Sequence, residues 1–206
     1  MPITKEKMLD CLPIKVGDFT IRSRHRNDLD LMTDWPKYPA SYESFNASFV
    51  KMRTEEKDQL FAQKNADPTR LMMMVDHKTQ LAIVDLYIKD TDWQTGKIGC
   101  IGIRVHPQWC DKGVGTLVIR AMAKWAFELG ITSIGLDVSA ANARAVTCYE
   151  KVGFVRTGDW WRDDPYLNTI DISQPQYSNL LPHIRLDAPI PQTRFYLMEL
   201  TPEALK

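Results

Sequence analysis

The chain is expected to fold as an α/β domain in which helices flank a mixed, mostly antiparallel central sheet of about seven strands. Three observations predict this class. The apolar segments "TRLMMMVD", "QLAIVDLYIK" and "KIGCIGIRV" are separated only by the turn-rich "HKT" and "DTDWQTG". Connections that short join antiparallel neighbours, so the three form a meander. Val114, Leu117, Val118, Ala121, Met122, Trp125 and Leu129 then fall on one stripe at helical spacing, with Arg120, Lys124 and Glu128 opposite and Gly130 as a stop. Finally, the order strand, helix, strand beyond Val105 implies parallel pairing in that half of the sheet.

The elements follow in chain order. "DFTIRSR" alternates as a strand, and "NDLDLMTDW" starts a helix that stops before Pro36 and Pro39. Phe45, Phe49 and Met52 recur at helical spacing, and "EEKDQLFAQKNA" is a second helical piece ending at Asp67-Pro68. These helices are expected to cover one sheet face. After the meander and the 114–129 helix, "SIGLDVS" alternates as a strand and "NARAVTCYEKVG" is a short helix between an Asn cap and a Gly stop. "FVRTGDWW" and "RFYLMEL" are the closing strands. Residues 162–192 lack either periodicity and hold five prolines, which marks a long irregular insertion in what is otherwise one domain over 1–206.

Composition limits the partners. With 206 residues and 44% hydrophobic content the chain can bury a full core. Twenty-six basic residues balance twenty-six acidic ones, so no net field draws the protein to nucleic acid or an anionic membrane. The N-terminus is broken by charges and prolines, and runs such as "LMMMV" are too short to span a bilayer. Cys11, Cys100, Cys110 and Cys148 form no C-x-x-C pair and the four histidines are scattered. Neither a disulfide framework nor a metal site is signalled, and a cytoplasmic setting is expected.

The chemistry begins at "VHPQWCDKGVG". Gly113 and Gly115 immediately precede an amphipathic helix, whose unpaired N–H groups and partial positive charge make an anion site when glycine lets the backbone approach closely. No Lys-Ser or Lys-Thr follows the second glycine, so this is not a Walker A loop. Val118 stands where a dinucleotide fingerprint needs its third glycine. Taken alone, the pair also fits a tight turn that uses glycine for positive φ.

About thirty residues downstream, "NARAVTCYEKVGF" places Asn142, Ala145, Tyr149, Gly153 and Phe154 in the spacing N-x-x-A-x-x-x-Y-x-x-x-G-F. Together with Cys110-Asp111-Lys112-Gly113-Val114-Gly115, this resembles the GNAT acyl-CoA-dependent N-acyltransferases over residues 97–161. Cys110 departs from the Gln or Arg usual in that family. The resemblance implies a GNAT fold with a splayed parallel strand pair. It implies that the amides of Asp111, Lys112, Gly113, Val114, Gly115 and Thr116 bind the pyrophosphate of acetyl-CoA, the co-substrate. It further implies that exposed backbone at Ile103, Arg104 and Val105 holds the pantetheine arm and that Asn142 contacts the cofactor. Asn142 also fits a plain helix cap.

The reaction implied is transfer of an acetyl group to a primary amine by direct attack, with Tyr149 as the acid that protonates the departing sulfur. The glutamate that many members carry on the strand corresponding to "KIGCIGIRV" is missing. Asp137, five residues before Asn142, is the candidate base, with Asp85 as a weaker rival. An α-amine of pKa about 8 is neutral roughly one time in ten at pH 7, against less than one in a thousand for lysine near 10.4, so a modest base suits the first better. The acceptor is a small-molecule amine or a protein or peptide amine, and Asp163 and Asp164, at the head of the insertion, are candidates to attract it. Of a different class is a catalytically silent acyl-CoA-binding module of the same fold.

Overall fold

A computed structural model of the chain describes residues 3–39, 42 and 52–206. Phe45, Phe49 and the rest of 43–51 lie outside the described residues. The meander forms as expected: β3 (Leu71–His77), β4 (Gln80–Asp92) and β5 (Lys97–Val105) pair antiparallel in sequence order. The uninterrupted apolar run of β3 has a simple cause. Met73 belongs to the main core and Met74 to a second cluster with Leu29 and Met32, so both faces of the strand are covered.

Ahead of the meander, α1 (Lys5–Asp10) is capped by the Thr4 hydroxyl, which accepts from the Lys7 amide, and it buries Met8 completely. A short hairpin follows, β1 (Ile14–Val16) with β2 (Phe19–Ser23), and β2 joins β3. α2 (Asp28–Leu31) continues as a 3-10 turn to Asp34, and α3 is Thr54–Ala66. Beyond the meander, α4 (Val114–Glu128) buries Val114, Val118, Met122 and Trp125 together with Ile119 and Ala123. It leads to β6 (Ser133–Ser139), α5 (Ala143–Val152) and β7 (Val155–Asp163), and β9 (Gln192–Leu200) closes the sheet.

Among the described residues the sheet has nine strands in the order β1-β2-β3-β4-β5-β6-β9-β7, with β8 (Ile184–Arg185) paired to β9. The seven expected strands are all present, and β1 and β8 add two short ones. β7 runs parallel to β6, but β9 lies between them and pairs antiparallel with both. The insertion is not featureless: three 3-10 turns place Leu167 and Leu180 against Ala141, forming a small separate cluster. Among the described residues no helix is long and apolar enough to cross a membrane.

The parallel pair β5–β6 positions the site. Its register contains only Lys97↔Ser133 and Ile98↔Ile134, after which the strands diverge. Gly135 sits at the fork, where an added Cβ would lie 2.6 Å from the Gly99 carbonyl oxygen. Only glycine lets the two backbones meet there. Gly135→Ala is therefore expected to destabilise the fold by about 1–3 kcal/mol, as overpacking against backbone does. Urea denaturation would detect this, and an unchanged midpoint would show that the fork tolerates a side chain.

Candidate active site

Two cavities open beside this fork, and Ile103, Asn142 and Ala145 line both. The first, of about 480 Å³, lies over the glycine turn and the start of α5. Asp111 and Gly113 have φ of +58° and +76°, which folds the backbone sharply on either side of Lys112. Gly113 is the cap of α4 and has no side chain to offer its first turn. Leu117 is the first amide to find a helical carbonyl, that of Gly113 at 3.0 Å, so the N–H groups of Val114, Gly115 and Thr116 have no intrahelical partner. Among the described residues a Cβ built on Gly113 would meet nothing within 4 Å, so these residues leave the approach to the amides open.

Most residues expected at the anion site meet here. Asp111, Gly113, Val114, Gly115 and Thr116 line the first cavity with Ile103, Val105 and Asn142. Lys112 lines neither cavity, and its ammonium lies over the Trp109 ring at 5.7 Å. The His106 amide donates to the Ile83 carbonyl at 2.8 Å, so strand alternation turns the backbone of Arg104 toward β4 and that of Ile103 and Val105 toward the open edge. The Val105 carbonyl accepts from the Tyr38 hydroxyl at 2.6 Å. Asn142 does cap α5: its side-chain oxygen accepts from the Ala145 amide at 3.2 Å, and the residue still lines both cavities.

The second cavity, of about 710 Å³, holds Tyr149, Asp137, Asp163 and Asp164. Tyr149 is only 5% exposed and packs edge-on against Phe154 with centroids 5.5 Å apart. Burial, reinforced by the neighbouring Cys148 and Tyr87, pushes its phenol well above the ordinary value of 10. Asp137 is half-buried, with one oxygen 3.4 Å from Arg162 Nη1 and the other 3.9 Å from Cys100 Sγ. Burial raises the Cys100 thiol. Asp163 accepts from Gln192 at 2.9 Å and Asp164 from the Thr193 hydroxyl at 2.7 Å, which fixes both at the cavity rim where β7 ends. Residues 165–191 of the insertion line neither cavity, and Leu167 and Leu180 within them cluster with Ala141 instead.

Asp85 is a different kind of carboxylate. It is 1% exposed and held between Arg24 and Arg104, which makes it a structural ion partner and not a free base. Sequence reasoning missed Arg24, Arg144 and Arg162. Arg144 lines the first cavity, lies 3.5 Å from Asp111 and stacks on Tyr42 at 3.8 Å. Its place inside "NARA" was the available signal. Arg24 meets Asp85 across sixty-one residues of chain, and no local spacing announces that.

Comparison with known proteins agrees with this fold. The aminoglycoside N(6')-acetyltransferase type 1 of Klebsiella pneumoniae is 46% identical over 48 residues, 23% of this chain and 24% of that protein. The mycothiol acetyltransferase of Propionibacterium freudenreichii is 32% identical over 105 residues, 50% of this chain and 33% of that protein. The chain thus spans a third or less of the length of these two curated relatives. Among solved structures, spermidine N-acetyltransferase from Vibrio cholerae in complex with CoA and spermine superposes with a TM-score of 0.66 at 17% identity, covering 92% of this chain and 98% of that one. That likeness shows a shared fold. Residues 38–154 match the Acetyltransferase (GNAT) family, a stretch that takes in the glycine turn, the β5–β6 fork and the Asn142 to Phe154 segment. As this match covers more than half of the chain, the protein belongs to the GNAT acetyltransferase family.

Proposed function

We propose that this protein transfers an acetyl group from acetyl-CoA to a primary amine by direct attack. The observation that carries this reading is that the two cavities share Ile103, Asn142 and Ala145 in their linings, which sets the glycine turn of one beside the buried tyrosine and the carboxylate of the other. The residues present suit the co-substrate. The free amides of Val114, Gly115 and Thr116 would take the pyrophosphate. Arg144 would add a positive charge, and the unpaired edge beyond Ile98 would hydrogen-bond the pantetheine arm as an extra strand does. Acetyl-CoA supplies the acetyl group activated as a thioester.

The chain's own groups then handle the protons and the charge. Open N–H groups on β5 stabilise the negative charge developing on the carbonyl oxygen. Asp137, directly or through one water, takes the proton that the amine loses, while Tyr149 gives its proton to the departing sulfur. Because burial raises the phenol, Tyr149 holds that proton throughout the working pH range. Small-molecule amines are the favoured acceptors, in keeping with the acceptors named for two curated relatives. The reading keeps the cytoplasmic setting suggested by cysteine usage.

Three outcomes are expected. Acetyl-CoA at a hundredfold excess over Kd stabilises the native state by about 2.7 kcal/mol, and Gly113→Asp, which brings a carboxylate to the anion site, removes that gain. A thermal shift surviving in a folded variant would take the turn out of the site. Tyr149→Phe keeps acetyl-CoA binding but lowers turnover by about 10² or more in a thiol-release assay over an amine panel. Unchanged turnover would return Tyr149 to the core. Finally, kcat/KM rises with pH as the amine is deprotonated and shows no alkaline fall below pH 10, because the raised phenol keeps its proton there. A descending limb between pH 8 and about 9.5 would contradict Tyr149 as the acid.

A further inference from the structure

The charges lining the second cavity are sorted by the sheet fork. On the β2–β5 side stand Arg24, Lys64, Arg70 and Arg104, with Asp85 as the lining carboxylate. On the β6–β9–β7 side stand Asp137, Asp163 and Asp164, with Arg162. A cavity built for a polycation would carry carboxylates on both walls. This one gathers three of its four carboxylates on one wall and four of its five cationic side chains on the other.

Arg24 is the telling residue of the cationic wall. Its side chain is 3% exposed, and Nη1 donates to Asp85 at 3.1 Å. Asp85 is shared with Arg104, so one carboxylate serves two guanidinium groups in a buried place. Arg24 Nε and Nη2 are buried with no partner among the described residues. Those two nitrogens form one edge of the guanidinium fork, the edge that grips a carboxylate with two parallel bonds. Two residues earlier the same edge is filled: Arg22 Nε and Nη2 donate to the two oxygens of Asp76 at 2.7 and 3.0 Å. On the opposite wall Ser139 lines the same cavity, and its buried hydroxyl also lacks a partner among the described residues.

We infer that the acceptor is a small amine that also carries a carboxylate, with Arg24 on the cationic wall receiving the carboxylate while the amine lies toward Asp137, Asp163 and Asp164. This rests on the acetyl-transfer reading for its chemistry, but the anion site stands on its own geometry. A buried guanidinium edge left without a partner is costly, and a planar two-oxygen anion satisfies it in the way Asp76 satisfies Arg22. A polycationic acceptor such as spermidine would meet the cationic wall and be repelled there.

The test measures thiol release with L-alanine, β-alanine and 4-aminobutyrate, each beside its carboxamide, with spermidine and O-phosphoethanolamine as further arms. At least one acid should exceed its amide by about tenfold or more in kcat/KM, since the amide leaves the fork unpaired. Arg24→Gln should abolish the preference, and Arg24→Lys, which keeps the charge but not the fork, should fail to restore it. Because Arg24 is buried and its variants can fail to fold, wild-type melting is measured in parallel with CoA present and each acid or amide added. Acids should stabilise and amides should not. Equal rates and equal melting shifts for acids and amides, or a preference for spermidine, would overturn the inference. A preference for O-phosphoethanolamine would overturn the carboxylate assignment. Acid-selective stabilisation without turnover on any acceptor would leave the anion site standing and overturn acetyl transfer instead.

Discussion

Everything functional in this molecule depends on two strands that stop pairing. β5 and β6 share only the first two positions of their register, and beyond Ile98 and Ile134 the facing backbone edges no longer pair with each other. Unpaired edges inside a domain cost free energy unless something bonds them, so the fork is either a defect or a slot. Gly135, held so close to Gly99 that a side chain has no room, pins the point of divergence. A bound chain that hydrogen-bonds like a strand turns that cost into affinity. The acyl-donor slot proposed for this site is a consequence of where the sheet opens.

The rest of the fold arranges helix ends and charges around that opening. The N-terminus of α4, with its side-chain-free cap at Gly113, and that of α5, capped by Asn142, both border the first cavity. β9, arriving from the far end of the chain, inserts between β6 and β7 and so carries the end of β7, with Asp163 and Asp164, to the rim of the second cavity. Burial does the remaining work on the chemistry. It raises the Tyr149 phenol, which suits the acid role proposed for it. It also forces Asp85 into ion pairing with Arg24 and Arg104, leaving Asp137 as the less encumbered carboxylate beside Tyr149.

Much of this was legible in the sequence because it was local. The apolar stripe of α4, the alternation of β6 and the Asn142 cap are periodicities or caps within a few residues. The meander shows itself in the shortness of its turns. What stayed hidden was set by contacts far apart in the chain. α1 rests on a Thr4 cap and one buried methionine, too little to show a period in a charged segment. β8 is two residues long and exists only because β9 runs beside it. The insertion over 162–192 showed its irregularity but not its small core at Ala141, since Leu167 and Leu180 are brought there by turns and not by a repeat. In the site, Tyr149 and the glycine turn were readable from motif spacing, whereas the Arg24–Asp85–Arg104 cluster joins three strands or strand ends and has no one-dimensional signature.

The central claim is that the first turn of α4 and the open edge of β5 are a binding surface for acetyl-CoA, and amide hydrogen exchange tests it most directly. With saturating acetyl-CoA, the amides of Val114, Gly115 and Thr116, which have no intrahelical acceptor, should slow by about tenfold or more, together with the outward-facing amides of Ile103 and Val105. The interior of α4 should change much less. Exchange at these five amides that is unaltered by acetyl-CoA would contradict the account, because the slot would then be unoccupied in the very state for which it is argued to be built.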